Sequence, residues 1–168
     1  MLSAQLSYDI TDWLNIAGRV RIDNSHTKYE QKLYASSNAT ITEESTQGHY
    51  TIAKPDETQT YADVLANINK RFGDYSLVAN VGASIVNNKF EELSYRGPIR
   101  EKGIPNVFNV FDLDNAKKKA RQDEWQEQTQ SIFASVEVGW KSMLYLTLTG
   151  RNDWASQLAN SSTSSFFY

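Results

Sequence analysis

His26 and His49 are the only side chains in this sequence whose ordinary titration falls near neutrality. Placed beside a hydroxyl nucleophile or among carboxylates, either could act as a general base or a metal ligand. Neither has such a neighbour at a telling spacing. Both fall in one long polar stretch, so they read as solvated loop histidines. The carboxylate pairs Glu43-Glu44 and Glu91-Glu92 sit on adjacent residues, which point in opposite directions along an extended chain. They read as solvated surface rather than an acid/base pair. Asp112-Leu113-Asp114 starts like a calcium loop, but the glycine and closing glutamate at the required spacing are missing. The basic run Lys117 to Arg121 is flanked by acids and reads as the solvated face of a short helix spanning part of Asp112 to Glu124. The Asn38-Ala39-Thr40 and Asn160-Ser161-Ser162 sequons read as chance matches. With no cysteine in the chain, disulfides and thiolate metal sites are excluded. No catalytic constellation, metal set or cofactor cradle emerges, and an enzyme is not the expected function.

Aromatic side chains in polar stretches offer a different chemistry. Tyr29, Tyr34, Tyr50, Phe108, Phe111, Trp125 and Trp154 could stack on sugar rings or press against a partner, although loop packing and interface anchoring use the same residues. The contact candidates are Tyr34, Tyr50, Phe108, Phe111 and Trp154. Arg151-Asn152-Asp153 reads as a structural pair, its charges bonding neighbouring strands and fixing register.

The elements that must position these groups are strands. Six segments alternate apolar and polar residues with period two, which puts one face of a sheet in an apolar medium and the other in a polar one. The first, Leu2 to Ile10, is followed by a tight connection at Thr11-Asp12-Trp13. The second sets Leu14, Ile16, Val20 and Ile22 against Asn15, Arg19, Arg21 and Asp23, and its pattern reaches toward Tyr34. The third, around Thr58 to Phe72, sets Ala62, Val64, Ala66 and Ile68 against Asp63, Asn67, Asn69 and Arg71. Gly73-Asp74 supplies a hairpin turn, and Tyr75 to Ile85 forms the fourth, with Asn80, Gly82 and Ser84 on its polar side. The fifth, Gln126 to Trp140, has Val136, Val138 and Trp140 opposite Ser135 and Glu137, while Phe133 interrupts the polar side. The sixth sets Leu144, Leu146 and Leu148 against Tyr145, Thr147, Thr149 and Arg151.

Connections therefore alternate short and long, with polar stretches from about Asn24 to Glu57 and from about Asn87 to Glu124. Long strands, tight turns on one side and extended loops on the other are the asymmetry of an outer-membrane barrel. Tyr8, Phe72, Tyr75 and Trp140 lie at the apolar parity near the short turns, where a bilayer interface would favour them. The candidate lipid-facing set is these four with Leu14, Ile16, Val136, Leu144, Leu146 and Leu148. The candidate lumen-facing set is Arg19, Arg21, Asp63, Asn67, Asn69, Asn80, Glu137, Thr147, Thr149 and Arg151. The mean hydropathy of −0.55 suits a soluble protein, but a barrel with a polar lumen and polar loops escapes that test. No apolar run approaches the ~18 residues of a membrane helix. A net charge of −3 without a basic stripe gives no sign of nucleic-acid binding. The competing reading is a soluble antiparallel β-sheet module that binds carbohydrate or protein through its loop aromatics. It requires a core that covers the Leu, Ala and Val faces.

The run Leu144 to Trp154, with Thr149-Gly150-Arg151-Asn152-Asp153-Trp154 at its end and Ser165-Phe166-Phe167-Tyr168 beyond, resembles the barrel of the SusC/RagA family. Ile104-Pro105-Asn106-Val107-Phe108-Asn109, followed by a charged stretch and a strand, resembles it too. Members of that family are TonB-dependent outer-membrane transporters of Bacteroidetes. The resemblance implies uptake of large nutrients, glycans or peptides, across a bacterial outer membrane, with TonB supplying energy and a SusD-like surface lipoprotein as partner. It implies outer-membrane lipid as surroundings and no cofactor. Six strands are too few to close a barrel, for which ~8 is the practical minimum. The expectation is a partial barrel domain over residues 1 to 168, arranged as three hairpins, with no plug domain and no signal peptide.

Overall fold

The computed structural model describes residues 1–157 and 165–167. It is an antiparallel β-structure of eight strands: β1 (Leu2–Thr11), β2 (Leu14–His26), β3 (Tyr29–Tyr34), β4 (Gly48–Phe72), β5 (Tyr75–Pro98), β6 (Lys119–Trp140), β7 (Leu144–Ala155) and β8 (Ser165–Phe167). They form one sheet in the order β1-β2-β4-β5-β6-β7-β8, with β3 also paired to β4. The expected hairpins are present. Leu2 pairs with Ile22 and Tyr8 with Ile16, and Trp140 pairs with Leu144 and Glu137 with Thr147.

Each tight turn has its own chemistry. Gly73 has φ +58 while Asp74 stays on the negative side, the pattern of a type II′ turn that glycine permits at no cost. Lys141 and Ser142 both take positive φ, 49 and 56, and Met143 N donates to Trp140 O at 3.0 Å. That is a type I′ turn built without the usual Asn-Gly, so nothing in its residues announced the type.

Strand lengths are the main correction. The third to fifth strands do not stop at Thr58, Ile85 and Gln126 but run from Gly48, to Pro98 and from Lys119. The reach of the second strand toward Tyr34 is real, although Thr27 and Lys28 divide it into β2 and β3. The polar stretches are therefore largely extended chain. The helix expected within Asp112 to Glu124 is absent: Val110–Asp112 is a single 3-10 turn and strand begins at Lys119. Arg121 Nε meets Asp123 Oδ2 at 2.6 Å, an i, i+2 pairing that a strand allows and a helix does not. Ladder bonding has overridden local propensity.

The chain divides into two compact units. The first comprises Met1–Asn24, Thr58–Lys89 and Gln126–Tyr168, and the second Ser25–Glu57 and Phe90–Trp125. In the second unit Tyr50, Ile99 and Leu113 are buried together with Thr42, Ser45 and His49. Ser45 Oγ donates to Ile99 O at 2.8 Å, and Asn106 Oδ1 accepts from Ala35 N at 2.7 Å. This is a small conventional core. In the first unit Leu6, Leu148 and Val64 are 78%, 67% and 57% exposed, whereas Asp63 and Ser131 are 5% and 2% exposed. There large hydrophobic side chains point out, while Asp63 and Ser131 are covered.

Candidate functional site

The polar face of the first unit is an interlocked ladder of side chains. Arg19 on β2 donates through Nε to both oxygens of Asp63 on β4, at 3.1 and 3.0 Å, and its Nη2 lies 2.9 Å from Oδ2. The Tyr61 hydroxyl bonds to the same carboxylate. Arg21 pairs with Asp23 at 2.6 Å. Arg151 Nε reaches the two oxygens of Asp153 at 2.7 and 3.0 Å, and its Nη2 donates to Ser131 Oγ at 3.0 Å. Three of the arginines described so far, Arg21, Arg121 and Arg151, thus bond the aspartate two residues on. On a strand that spacing puts both side chains on one face about 7 Å apart along the chain. The Arg-x-Asp spacing is a signal the sequence carries but the alternation pattern hides.

Uncharged groups complete the ladder. Asn67 Nδ2 donates to Asn15 Oδ1 at 3.2 Å, and Asn15 Nδ2 donates to Ser7 Oγ at 2.8 Å and Asp9 Oδ1 at 2.6 Å. Thr147 Oγ1 donates to Glu137 Oε2 at 3.1 Å. Phe133, which interrupted the polar pattern, has a physical reason. Its ring lies over Gly82 of the neighbouring strand, where a Cβ would come within 2.5 Å of it. An aromatic ring covering a cross-strand glycine protects backbone that has no side chain of its own. Asn80, Phe133, Ser135, Thr149 and Arg151 surround a shallow recess of about 350 Å³ beside it. Arg19, Arg21, Asp63, Asn67, Asn80, Glu137, Thr147, Thr149 and Arg151 thus share this face, with Asn69 at the same parity near the turns.

The opposite face carries Tyr8, Leu14, Ile16, Phe72, Tyr75, Val136, Trp140, Leu144, Leu146 and Leu148, most of them exposed. Trp13 joins the turn-end aromatics, a residue the sequence reading placed only in a turn. Among the described residues no second layer covers this face. From Ala62 to Phe72 this parity of β4, apolar except for Lys70 near the turn, runs ~33 Å along the strand, which a tilt of ~40° converts to about 25 Å of height, the thickness of a barrel's apolar band. At the far end the same face turns to uncharged polar residues. Gln126 Nε2 donates to Asn87 Oδ1 at 2.8 Å, and Gln130 pairs with Trp154. Trp154 is therefore a strand residue within β7, not the loop contact the sequence suggested.

The remaining aromatic candidates lie in the second unit and play unequal parts. Tyr50 is 3% exposed. Its hydroxyl donates to Glu30 Oε1 at 2.6 Å. Burial first, then this bond, push the phenol up to about 12. The Glu30 carboxyl is held below its usual range by Tyr50 and then by Lys28 at 3.0 Å. Phe108 packs between Tyr34, edge-on at 5.2 Å, and Tyr50 at 6.0 Å. Tyr50 is thus core rather than contact surface, whereas Tyr34 and above all Phe111, 83% exposed, remain available. Phe111 stands in the 3-10 turn with the Arg100 guanidinium 5.6 Å from its ring, and Arg100 is fixed by Asp112 at 2.7 Å. The carboxylate that suggested a calcium loop serves as that anchor and accepts from Asn109.

The histidines need correcting. His26 does meet a carboxylate, Asp56 at 2.8 Å, on an exposed strand edge. His49 is buried, with Nε2 3.6 Å from Glu43 Oε1, and Arg96 Nη2 lies 3.4 Å from the same oxygen. Burial holds its pKa below the ordinary value against the pull of Glu43. Glu43 is therefore a bridging group rather than free surface. These partners lie 6 to 53 residues away in sequence, so spacing could not reveal them.

No protein-family model and no curated protein sequence matches the chain. Solved structures do. The structure of the RagAB peptide transporter superposes with TM-score 0.80 at 12% identity, over 98% of this chain and 18% of that one. The RagAB peptide importer in its open-open state gives 0.77 at 14% identity, over 99% of this chain and 19% of that one. Its closed-closed state gives 0.70 at 13%, over 98% and 18%. This is the fold of a transporter β-barrel segment. The chain spans about a fifth of the length of these neighbours, and at such identity the likeness establishes architecture. It agrees with the fold that the Thr149 to Trp154 motif suggested.

Proposed function

We propose that the chain is part of the wall of a bacterial outer-membrane, TonB-dependent transporter that imports large nutrients, oligopeptides or glycans, together with a SusD-like surface lipoprotein. The observation that carries this reading is the inversion in the first unit. Charged and amide side chains are bonded among themselves on one face, while the other exposes a band of leucine, valine and alanine about as tall as a membrane's hydrocarbon. The architecture shared with RagAB supports the same reading. Arg19, Arg21, Asp63, Asn67, Asn69, Asn80, Glu137, Thr147, Thr149 and Arg151 then face the lumen. Because three arginines of this face are neutralised in place, Arg19 by Asp63, Arg21 by Asp23 and Arg151 by Asp153, the part of the lumen around them presents hydrogen-bonding groups with little net charge. It performs no bond chemistry; it supplies a wetted path and a rigid register. Phe111 and Tyr34 are the groups offered to a substrate or to the lipoprotein.

The chain contains no cysteine, which makes a direct test simple. Single cysteines at Leu146, Thr147, Leu148 and Thr149 are exposed to a membrane-impermeant maleimide in vesicles. Labelling should alternate, strong at 147 and 149 and weak at 146 and 148. Uniform labelling of all four would refute the membrane wall.

A further inference from the structure

In the first unit, the apolar parity of β4 runs Ala62, Val64, Ala66, Ile68 and then, one step before Phe72, Lys70. A charge on that face is costly at mid-membrane, and the cost falls to little near the interface. Lys70 sits at the short-turn end, so depth alone permits it; its surroundings say more. Its Nζ lies 4.4 Å from the centre of the Trp13 ring and 5.2 Å from that of Phe72. Asn69 N donates to Trp13 O at 2.9 Å, so the ammonium stands where the β1–β2 turn meets the β4–β5 hairpin. The next turn along holds a second lysine. Lys141 Nζ lies 5.3 Å from the Trp140 ring but also 3.5 Å from Asp74 Oδ2. Lys70 differs: among the described residues it has no ion-pair partner.

We propose that Lys70, between Trp13 and Phe72, is a binding site for the phosphate headgroup of an anionic phospholipid. The inference rests on the membrane reading above. Two ring faces attract an ammonium but cannot neutralise it, and an anionic oxygen arriving from the open side completes its shell. The same face also favours one kind of anion. Away from the turn its next positions on β4 are Ile68 and Ala66, so a phosphate carrying hydrocarbon gains apolar contacts there that a free phosphate lacks. Lys141 already has its counter-ion and serves as the internal control.

The test uses the protein reconstituted into phosphatidylcholine vesicles containing a minor fraction of phosphatidylglycerol, with lipids retained on gentle extraction quantified by mass spectrometry. The native protein should retain phosphatidylglycerol over phosphatidylcholine by about fivefold, the factor corresponding to roughly 1 kcal/mol for one lysine at an anionic surface. Lys70→Gln should abolish the preference with the β circular dichroism unchanged, Lys70→Arg should keep it, and Lys141→Gln should leave it intact. Tens of millimolar inorganic phosphate should not compete. The site is overturned if Lys70→Gln retains the preference, if Lys141→Gln removes it, or if free phosphate displaces the lipid. Insertion with β structure but without any headgroup preference overturns this site alone, whereas failure to enter vesicles at all overturns the membrane reading with it.

Discussion

Leu113 and Leu148 are the same residue used in opposite ways. Leu113, in the second unit, is 1% exposed and bridged to Ile99, and Leu148, on β7 in the first, is 67% exposed. The second unit follows the ordinary rule that apolar groups are removed from water by one another. The first breaks it consistently: a buried aspartate and serine behind an open field of leucine, isoleucine and valine. A single exposed leucine would mean nothing, but a continuous face of them is what the proposed membrane wall explains, with the polar ladder on the reverse toward water. On that proposal one chain carries two cores, one made of its own side chains and one that a bilayer supplies.

The sharpest way to break this contrast is to make the same substitution in both units. Leu113→Ala should destabilise the second unit by about 2–5 kcal/mol through lost burial and a residual cavity. Leu148→Ala should cost under about 1 kcal/mol in a bilayer, where lipid refills the space. Denaturant titration of the reconstituted protein reads both, and equal losses would erase the distinction. Next in size, Leu148→Arg should cost about 2–4 kcal/mol in vesicles, whereas Thr147→Arg, one residue along, should be close to neutral. Should the two arginines prove equally tolerated, the apolar face is in water. Smaller again is Asp63→Ala. It leaves Arg19 and Tyr61 without their acceptor and should cost about 1–2 kcal/mol, the usual penalty for unmaking a covered polar contact. Urea midpoints measure it, and Arg19→Ala should cost more, because it leaves the covered Asp63 carboxylate without its cation, whereas the guanidinium left by Asp63→Ala is half exposed and stays hydrated.

The smallest effect is a pH dependence confined to the second unit. Burial lowers the folded-state pKa of His49, so its neutral form is favoured in the folded chain. The corresponding stability is complete above the ordinary value of about 6.5 and is lost as pH falls below it, because the unfolded chain binds the proton first. Hydrogen-exchange protection at Thr42 and Ser45, corrected for the pH dependence of intrinsic exchange, should fall between pH 7 and 5 in the native protein and not in His49→Phe. Protection in β7 should stay unchanged over the same range, and a matching fall there would refute a pH response confined to the second unit.

Much of the first unit was legible because period-two alternation needs no partner to be read. Leu144, Leu146 and Leu148 against Thr147, Thr149 and Arg151 declare their faces in the order of the letters, and Gly73-Asp74 declares a turn. Where the alternation lapses, legibility ended. Gly48 to Glu57 and Lys119 to Trp125 look like polar loop, yet they are strand because neighbouring backbone completes their ladder. The Trp154 placement failed for a related reason: Asn152 and Asp153 suggested a loop, but the pairing of Gln130 with Trp154 keeps the strand going.

What the sequence by itself determined is the amphipathic character of every strand in the first unit and, through the Arg-x-Asp spacing, part of its charge pairing, since both are properties of residues two apart on one chain. What only the tertiary structure decided is everything set by contacts between distant segments. Arg19 finds Asp63 across 44 residues, Phe133 caps Gly82, His49 is drawn out of solvent beside Glu43 and Arg96, and Lys70 is brought between Trp13 and Phe72. The physical reason is the same in each case. A strand fixes the direction of its own side chains, but the partner at the end of each side chain is chosen by strand register, and register belongs to the assembled sheet.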